Sequence, residues 1–113
     1  MNSNLKNKIN QDIVSALKSG LSDVVLTLRF LMSVIKNNEL LKRNKLSKES
    51  ASRRMEEELI KLSELTDEEI INVILGEIKK GEKAIDQYEK GGRPDLVLKG
   101  KSEIEILKKY FPQ

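Results

Sequence analysis

The chain has neither cysteine nor histidine. The first absence removes disulfides, thiolate nucleophiles and thiolate metal sites. The second removes the commonest general base and the commonest metal ligand. Together they exclude Ser–His and Cys–His nucleophile pairs. Aromatic residues make up only 4% and tryptophan is absent, so a core must come from Leu, Ile and Val. No apolar run approaches the roughly 18 residues that a membrane-spanning helix needs. Met1 to Asp12 alternates polar and apolar residues and lacks the apolar stretch of a signal peptide, so the expected location is the cytoplasm.

What is present fits one folded domain. A length of 113 residues suffices for one hydrophobic core and not for two of ordinary size. Apolar residues at 38% argue against intrinsic disorder, and charged residues at 35% point to a surface-rich protein. The formal net charge of +3 is mild, but it is unevenly spread. Residues 1–46 carry a net +5, residues 47–69 a net −4, and residues 70–113 a net +2.

Helical periodicity dominates, and no segment reads as a strand. Leu5, Ile9, Ile13 and Leu17 recur every four residues with Ala16 beside them, and Gly20 is a stop. Ser22 is positioned to cap a second helix, with Val24, Val25, Leu28, Leu31, Met32 and Ile35 inward, running to about Lys42. Ser47 or Ser50 is expected to start a third, with Ala51, Met55, Leu59 and Leu62 as its stripe. Thr66-Asp67-Glu68-Glu69 has the form of a capping box, and its acids favour the positive end of the helix dipole. Ile70, Ile74, Ile78, Ile85 and Tyr88 follow on one face up to Gly91-Gly92. Pro94 suits the first position of a last helix, with Leu96, Ile104, Leu107 and Phe111 inward and Gly100 in line for a close helix approach. The expected fold is all-α, a bundle of four to five helices with short connections.

Three stretches carry a resemblance. They are Thr27-Leu28-Arg29-Phe30-Leu31-Met32-Ser33-Val34-Ile35-Lys36-Asn37, then Leu65-Thr66-Asp67-Glu68-Glu69-Ile70-Ile71, and then Tyr88-Glu89-Lys90-Gly91-Gly92-Arg93-Pro94-Asp95-Leu96-Val97, which leads on to Glu103-Ile104-Glu105-Ile106-Leu107-Lys108-Lys109-Tyr110-Phe111-Pro112-Gln113. In order and spacing they resemble the N-terminal helical domain of the YqeY family, whose tail is related to that of the GatB subunit of tRNA-dependent amidotransferases. Two departures stand out. The segment from about Asn44 to Glu64 is longer than is typical. The family's second, smaller helical domain is expected to be absent after Gln113. The resemblance implies a non-catalytic accessory module that assists tRNA binding in tRNA-dependent amidation, with tRNA or a tRNA-handling protein as partner and no cofactor.

The residues offer no chemistry beyond that. Amide chemistry needs a nucleophile or a phosphate site, and neither is readable, so no catalytic, cofactor-binding or metal-ligating residue is expected. The serines sit at helix starts, where capping explains them. Gly91-Gly92-Arg93 reads as a turn with a nearby cation, not as a phosphate-cradling loop. Glu56-Glu57-Glu58 diverge by about 100° per residue on a helix and cannot converge on one ion. The basic set is the candidate site: Lys18, Arg29, Lys36, Lys42, Arg43 and Lys45, with Arg93. Arg29, Lys36 and Arg43 are spaced by seven and drift only about 20° per step, so they form one stripe, either an ordinary solvated helix face or a surface that meets phosphates. No aromatic residues interleave them, which argues against base stacking. Arg29 stands among apolar neighbours, and an ion pair is an equal expectation for it, with Asp95 and Glu103 as candidate partners for Arg29 or Arg93.

Two classes of function therefore compete. A nucleic-acid module predicts a continuous basic face. A protein-interaction or assembly module predicts an exposed apolar patch, expected near Tyr110 and Phe111. An amidotransferase would need a pocket with convergent polar groups, and a small bundle is expected to pack without one.

Overall fold

The computed structural model describes residues 4–49 and 56–111. Five helices follow one another: α1 (Asn4–Lys18), α2 (Ser22–Glu49), α3 (Glu56–Ser63), α4 (Asp67–Lys90) and α5 (Pro94–Lys108). The described residues contain no strand. The fold is an all-α bundle in which α4 and α5 form the most extensive pair and α2 touches all the other helices.

The turns have local causes. Helix α1 closes in a Schellman motif, with Leu21 N–H donating to Ala16 O at 2.9 Å and Gly20 N–H to Leu17 O at 3.3 Å. Gly20 takes φ of +71°, which an L side chain resists. The same motif recurs after α4: Arg93 N–H donates to Tyr88 O at 2.9 Å, Gly92 N–H to Glu89 O at 3.2 Å, and Gly92 has φ of +69°. At the other end of α4 the capping box is complete. Glu69 N–H donates to Thr66 Oγ1 at 3.2 Å, and Thr66 N–H donates to Glu69 Oε1 at 2.9 Å. Pro94 occupies the first turn of α5, where its missing N–H leaves nothing unpaired.

Three boundaries differ from the sequence expectation. Ser22 is already helical rather than a cap, because the first turn is closed by Val25 N–H donating to Leu21 O. Helix α2 runs past Lys42 to Glu49. Arg43-Asn44-Lys45 contains no breaker, and the inward register continues through buried Glu39 and half-buried Lys42 and Leu46. Ser47 consequently lies inside α2, and the third helix is the short α3. The expected Ser50 start and the stripe residues Ala51 and Met55 lie outside the described residues. Leu17 and Leu62, expected inward, are exposed, whereas Ser63 is fully buried.

The core is centred on α2. Leu28, Leu31 and Ile35 are essentially sealed from solvent against Ile9 of α1 and Ile70 and Ile74 of α4. Each such side chain contributes about 1.5–3 kcal/mol on leaving water. Glycines set the α4–α5 spacing. A Cβ at Gly100 would stand 2.8 Å from Ile85 Cγ1, and one at Gly81 would stand 3.2 Å from Ile104 Cγ1. Each helix thus offers a glycine to the other's isoleucine, as the position of Gly100 predicts.

A buried acid ties the bundle together. Glu39, only 7% exposed, accepts both Lys6 Nζ bonds at 2.9 Å and the Leu65 backbone N–H at 3.0 Å. It thereby joins α1, α2 and the entry to α4. The C-terminal turn is tied back to α1 by Tyr110 Oη donating to Asp12 Oδ2 at 2.6 Å. Burial pushes the Asp12 carboxyl up, but the hydrogen bonds from Tyr110 and Lys8 outweigh it and hold Asp12 below its ordinary value. Burial, and then the bond to Asp12, raise the Tyr110 hydroxyl well above the usual tyrosine range.

Candidate functional site

The basic residues singled out from the sequence differ in exposure and in what they bond to. Arg29 and Lys36 are exposed along one flank of α2, with no hydrogen bond or ion pair to the described residues. Arg29 is therefore a free surface cation, and neither Asp95 nor Glu103 reaches it. Arg43 continues the same flank but is half-buried, with its Nε donating to Ser63 Oγ at 3.2 Å. Lys42 points inward, with Nζ 2.8 Å from Glu69 Oε1 and 3.3 Å from Glu64 O, bracing α2 against the start of α4. The Glu69 carboxyl is held below its ordinary value by Lys42 first and then by the Thr66 amide. Lys18 is exposed in the last turn of α1. Arg93 stands before α5, grasped by Asp95 through Nε–Oδ1 at 3.2 Å and Nη2–Oδ2 at 3.1 Å. That pair is one of those the sequence offered, and it lowers the Asp95 carboxyl.

The surface that sequence reasoning missed is apolar. Helix α2 buries one face and leaves Leu26 65%, Phe30 62% and Leu41 58% exposed on the other, with Leu40 at 48%. Tyr110 and Phe111, where an exposed patch was expected, instead pack half-buried against the core. A signal for this was present. Phe30 is two residues from Leu28 and five from Ile35, about 200° and 140° away around a helix, so it cannot share their inward face.

The apolar face runs into a groove. Between α2 and α4 lies an open depression of about 790 Å³ lined by Val34, Leu41, Lys45, Leu46 and Val73 among others. A second hollow of about 390 Å³, where α2, α4 and α5 meet, is lined by Phe30, Ala84, Tyr88 and Leu107. The two share Glu77 and Lys80 in their linings, so they are neighbours along the molecule. Lys36 and Lys45 are nine residues apart, about 180° around α2, so the Arg29–Lys36 flank and the groove lie on opposite sides of the apolar face.

Of the carboxylates lining the two hollows, Glu69 and Glu77 are each held by a lysine, Lys42 at 2.8 Å and Lys80 at 3.3 Å, and Glu103 lines the second hollow. No buried side-chain polar atom among the described residues lacks a partner. No cluster of three or more His, Cys, Asp or Glu among them is arranged around a cation. None of the described helices is long and apolar enough to cross a membrane.

Comparison with known proteins gives this bundle its relatives. A Schizosaccharomyces pombe protein described as uncharacterised is 30% identical over 110 residues, covering 97% of this chain and 74% of the yeast protein. The family described as Yqey-like protein matches residues 6–113, nearly the whole chain. With the motif order, the five-helix bundle and this match in agreement, the chain belongs to the YqeY family.

Proposed function

We propose that this chain is a non-catalytic accessory module that works by docking on a protein partner. The observation that carries the reading is the outward face of α2, where Leu26, Phe30 and Leu41 stand more than half exposed beside a groove. Leaving several large apolar side chains in contact with water on one helix face is costly, and a partner that covers them removes that cost. Paired charges and a polar-satisfied interior support a binding role over a reaction centre.

A second reading has its own observation. Arg29 and Lys36 are exposed and unengaged on one flank of α2. In this reading the module assists tRNA binding in tRNA-dependent amidation through the set Lys18, Arg29, Lys36, Arg43 and Arg93. Two of these are less available for phosphate, since Arg43 is bonded to Ser63 and Arg93 to Asp95. The docking reading therefore takes precedence.

Affinity purification of the tagged chain from cells separates the two. Docking predicts a protein recovered in near-stoichiometric amount with wild type and lost with Phe30→Glu. Identical recovery with both proteins overturns the docking reading. Nuclease-sensitive RNA that is lost with Arg29→Glu/Lys36→Glu and retained with Phe30→Glu would favour the second.

A further inference from the structure

We propose that the outward face of α2 receives an amphipathic helix of a partner protein whose apolar seam is edged with carboxylates. The inference rests on the docking reading and adds the chemistry of the partner. Phe30, Asn37 and Asn44 recur at intervals of seven, and Leu26, Ser33 and Leu40 recur at intervals of seven between them. The alternating steps of four and three are those of a helix-packing seam, with apolar side chains at three of the six positions, Leu26, Phe30 and Leu40. It lies on a helix of 28 residues, about 42 Å long, which matches an extended helical partner better than a compact contact. Asn37 and Asn44, polar at the seam positions, can fix the register of the partner by hydrogen bonding.

Charge identifies the partner's edges. From Leu26 to Lys48 the helix carries six Lys or Arg and one carboxylate, Glu39. Glu39 is turned inward and bound by Lys6, so it does not screen the outward face. Arg29 and Lys36 edge the seam on one side and Lys45 stands on the groove side, all three without an ion-pair partner among the described residues. Of the acids lining the two hollows, Glu69 and Glu77 are already held by Lys42 and Lys80, which leaves Glu103 in the second hollow as the one acid facing the cations of α2. A helix with acidic edges would meet cations on both sides of the seam. A second copy of this chain would instead bring Arg29, Lys36 and Lys45 against like charges, which disfavours self-pairing. A polyanion such as RNA would leave Leu26 and Leu41 uncovered.

The test uses two synthetic helical peptides of about three heptads with the same leucine seam, one with Glu and one with Lys at the edge positions. Binding of each to the full chain is measured by fluorescence anisotropy at low and moderate salt. The Glu-edged peptide is expected to bind about tenfold more tightly, with the preference shrinking as salt rises. Arg29→Glu/Lys36→Glu should invert the preference, and Phe30→Glu should abolish binding of both peptides. Equal binding of the two peptides, lost with Phe30→Glu, would overturn the acidic-edge proposal while leaving the docking face intact. Binding of neither peptide overturns the proposal, and whether docking itself survives is then read from the co-purification. A mass above monomer by light scattering that reverts with Phe30→Glu would assign the face to a second copy. Binding of bulk tRNA that survives Phe30→Glu and is lost with the charge reversal would assign the basic edge to nucleic acid. Either of the last two results overturns the proposal.

Discussion

Replacing Glu39 by alanine removes the acceptor that joins three parts of the bundle. The side chain is 7% exposed and receives Lys6 Nζ on both oxygens at 2.9 Å and Leu65 N–H at 3.0 Å. Its loss leaves a buried backbone donor unpaired, at a cost of about 1–3 kcal/mol. The Lys6 side chain is 24% exposed, so its ammonium can turn toward water and the lost ion pair adds only about 1 kcal/mol. The total of about 3 kcal/mol corresponds to roughly 10–15 °C in Tm for a chain of this size. Glu39→Gln keeps an acceptor for Leu65 and should cost only about 1 kcal/mol, as should Lys6→Met. Urea unfolding followed by helical circular dichroism measures all three. The double variant Glu39→Gln/Lys6→Met should lose less than the sum of its parts, since both changes break one interaction. A Glu39→Ala protein within about 0.5 kcal/mol of wild type, the usual range for an ordinary surface change, would refute the claim that this acid holds the bundle together.

Further outcomes follow from the same geometry. Gly100→Ala forces a Cβ to within 2.8 Å of Ile85 Cγ1 and should destabilise by about 1–2 kcal/mol, whereas Gly76→Ala, with nothing within 4 Å of its Cβ, should stabilise by about 0.5–1 kcal/mol through helix propensity; thermal melts decide both. Thr66→Ala removes the cap of α4 and should cost about 1 kcal/mol in the same melts. Asp12 has a depressed folded pKa, so its contribution is present above the unfolded carboxylate value and is lost as pH falls through the folded one. Tyr110→Phe should therefore move the acid limb of a stability–pH curve to higher pH. Because the folded pKa of Tyr110 itself is raised, its contribution is intact below the unfolded tyrosine value of about 10 and is lost as pH rises above it, an alkaline loss that Tyr110→Phe should diminish.

The sequence was most informative where one local rule governs. The Thr66–Glu69 capping box, the stop at Gly20 and the restart at Pro94 each depend on a few adjacent residues, and each appears in the structure. The isoleucine stripe of α4 was equally plain, because its apolar spacing is uncontradicted from Ile70 to Ile85. Helix α2 is less legible, because its apolar residues lie on two faces at once. Helical spacing places Leu28, Leu31 and Ile35 inward, as they stand in the structure, but gives no role to Leu26, Phe30 and Leu41. Glu39 stands four residues after Ile35, in line with the inward stripe, yet a charge there reads as the end of the buried register until Lys6 is seen to meet it. For the basic set, helical spacing did place Arg29, Lys36 and Arg43 on one helix. What spacing cannot give is engagement with other elements, and the Arg43–Ser63 contact depends on where α3 packs.

The docking face of α2 can be tested directly by a photo-crosslinking scan in living cells. A photoreactive residue is placed in turn at Leu26, Arg29, Phe30, Lys36 and Leu41, with Glu82 and Lys101, exposed on α4 and α5, as controls. The account predicts protein adducts concentrated at Leu26, Phe30 and Leu41, with helical periodicity and background levels at the controls. Adducts confined to Arg29 and Lys36 and made to RNA, or a uniform background at every position, would contradict it.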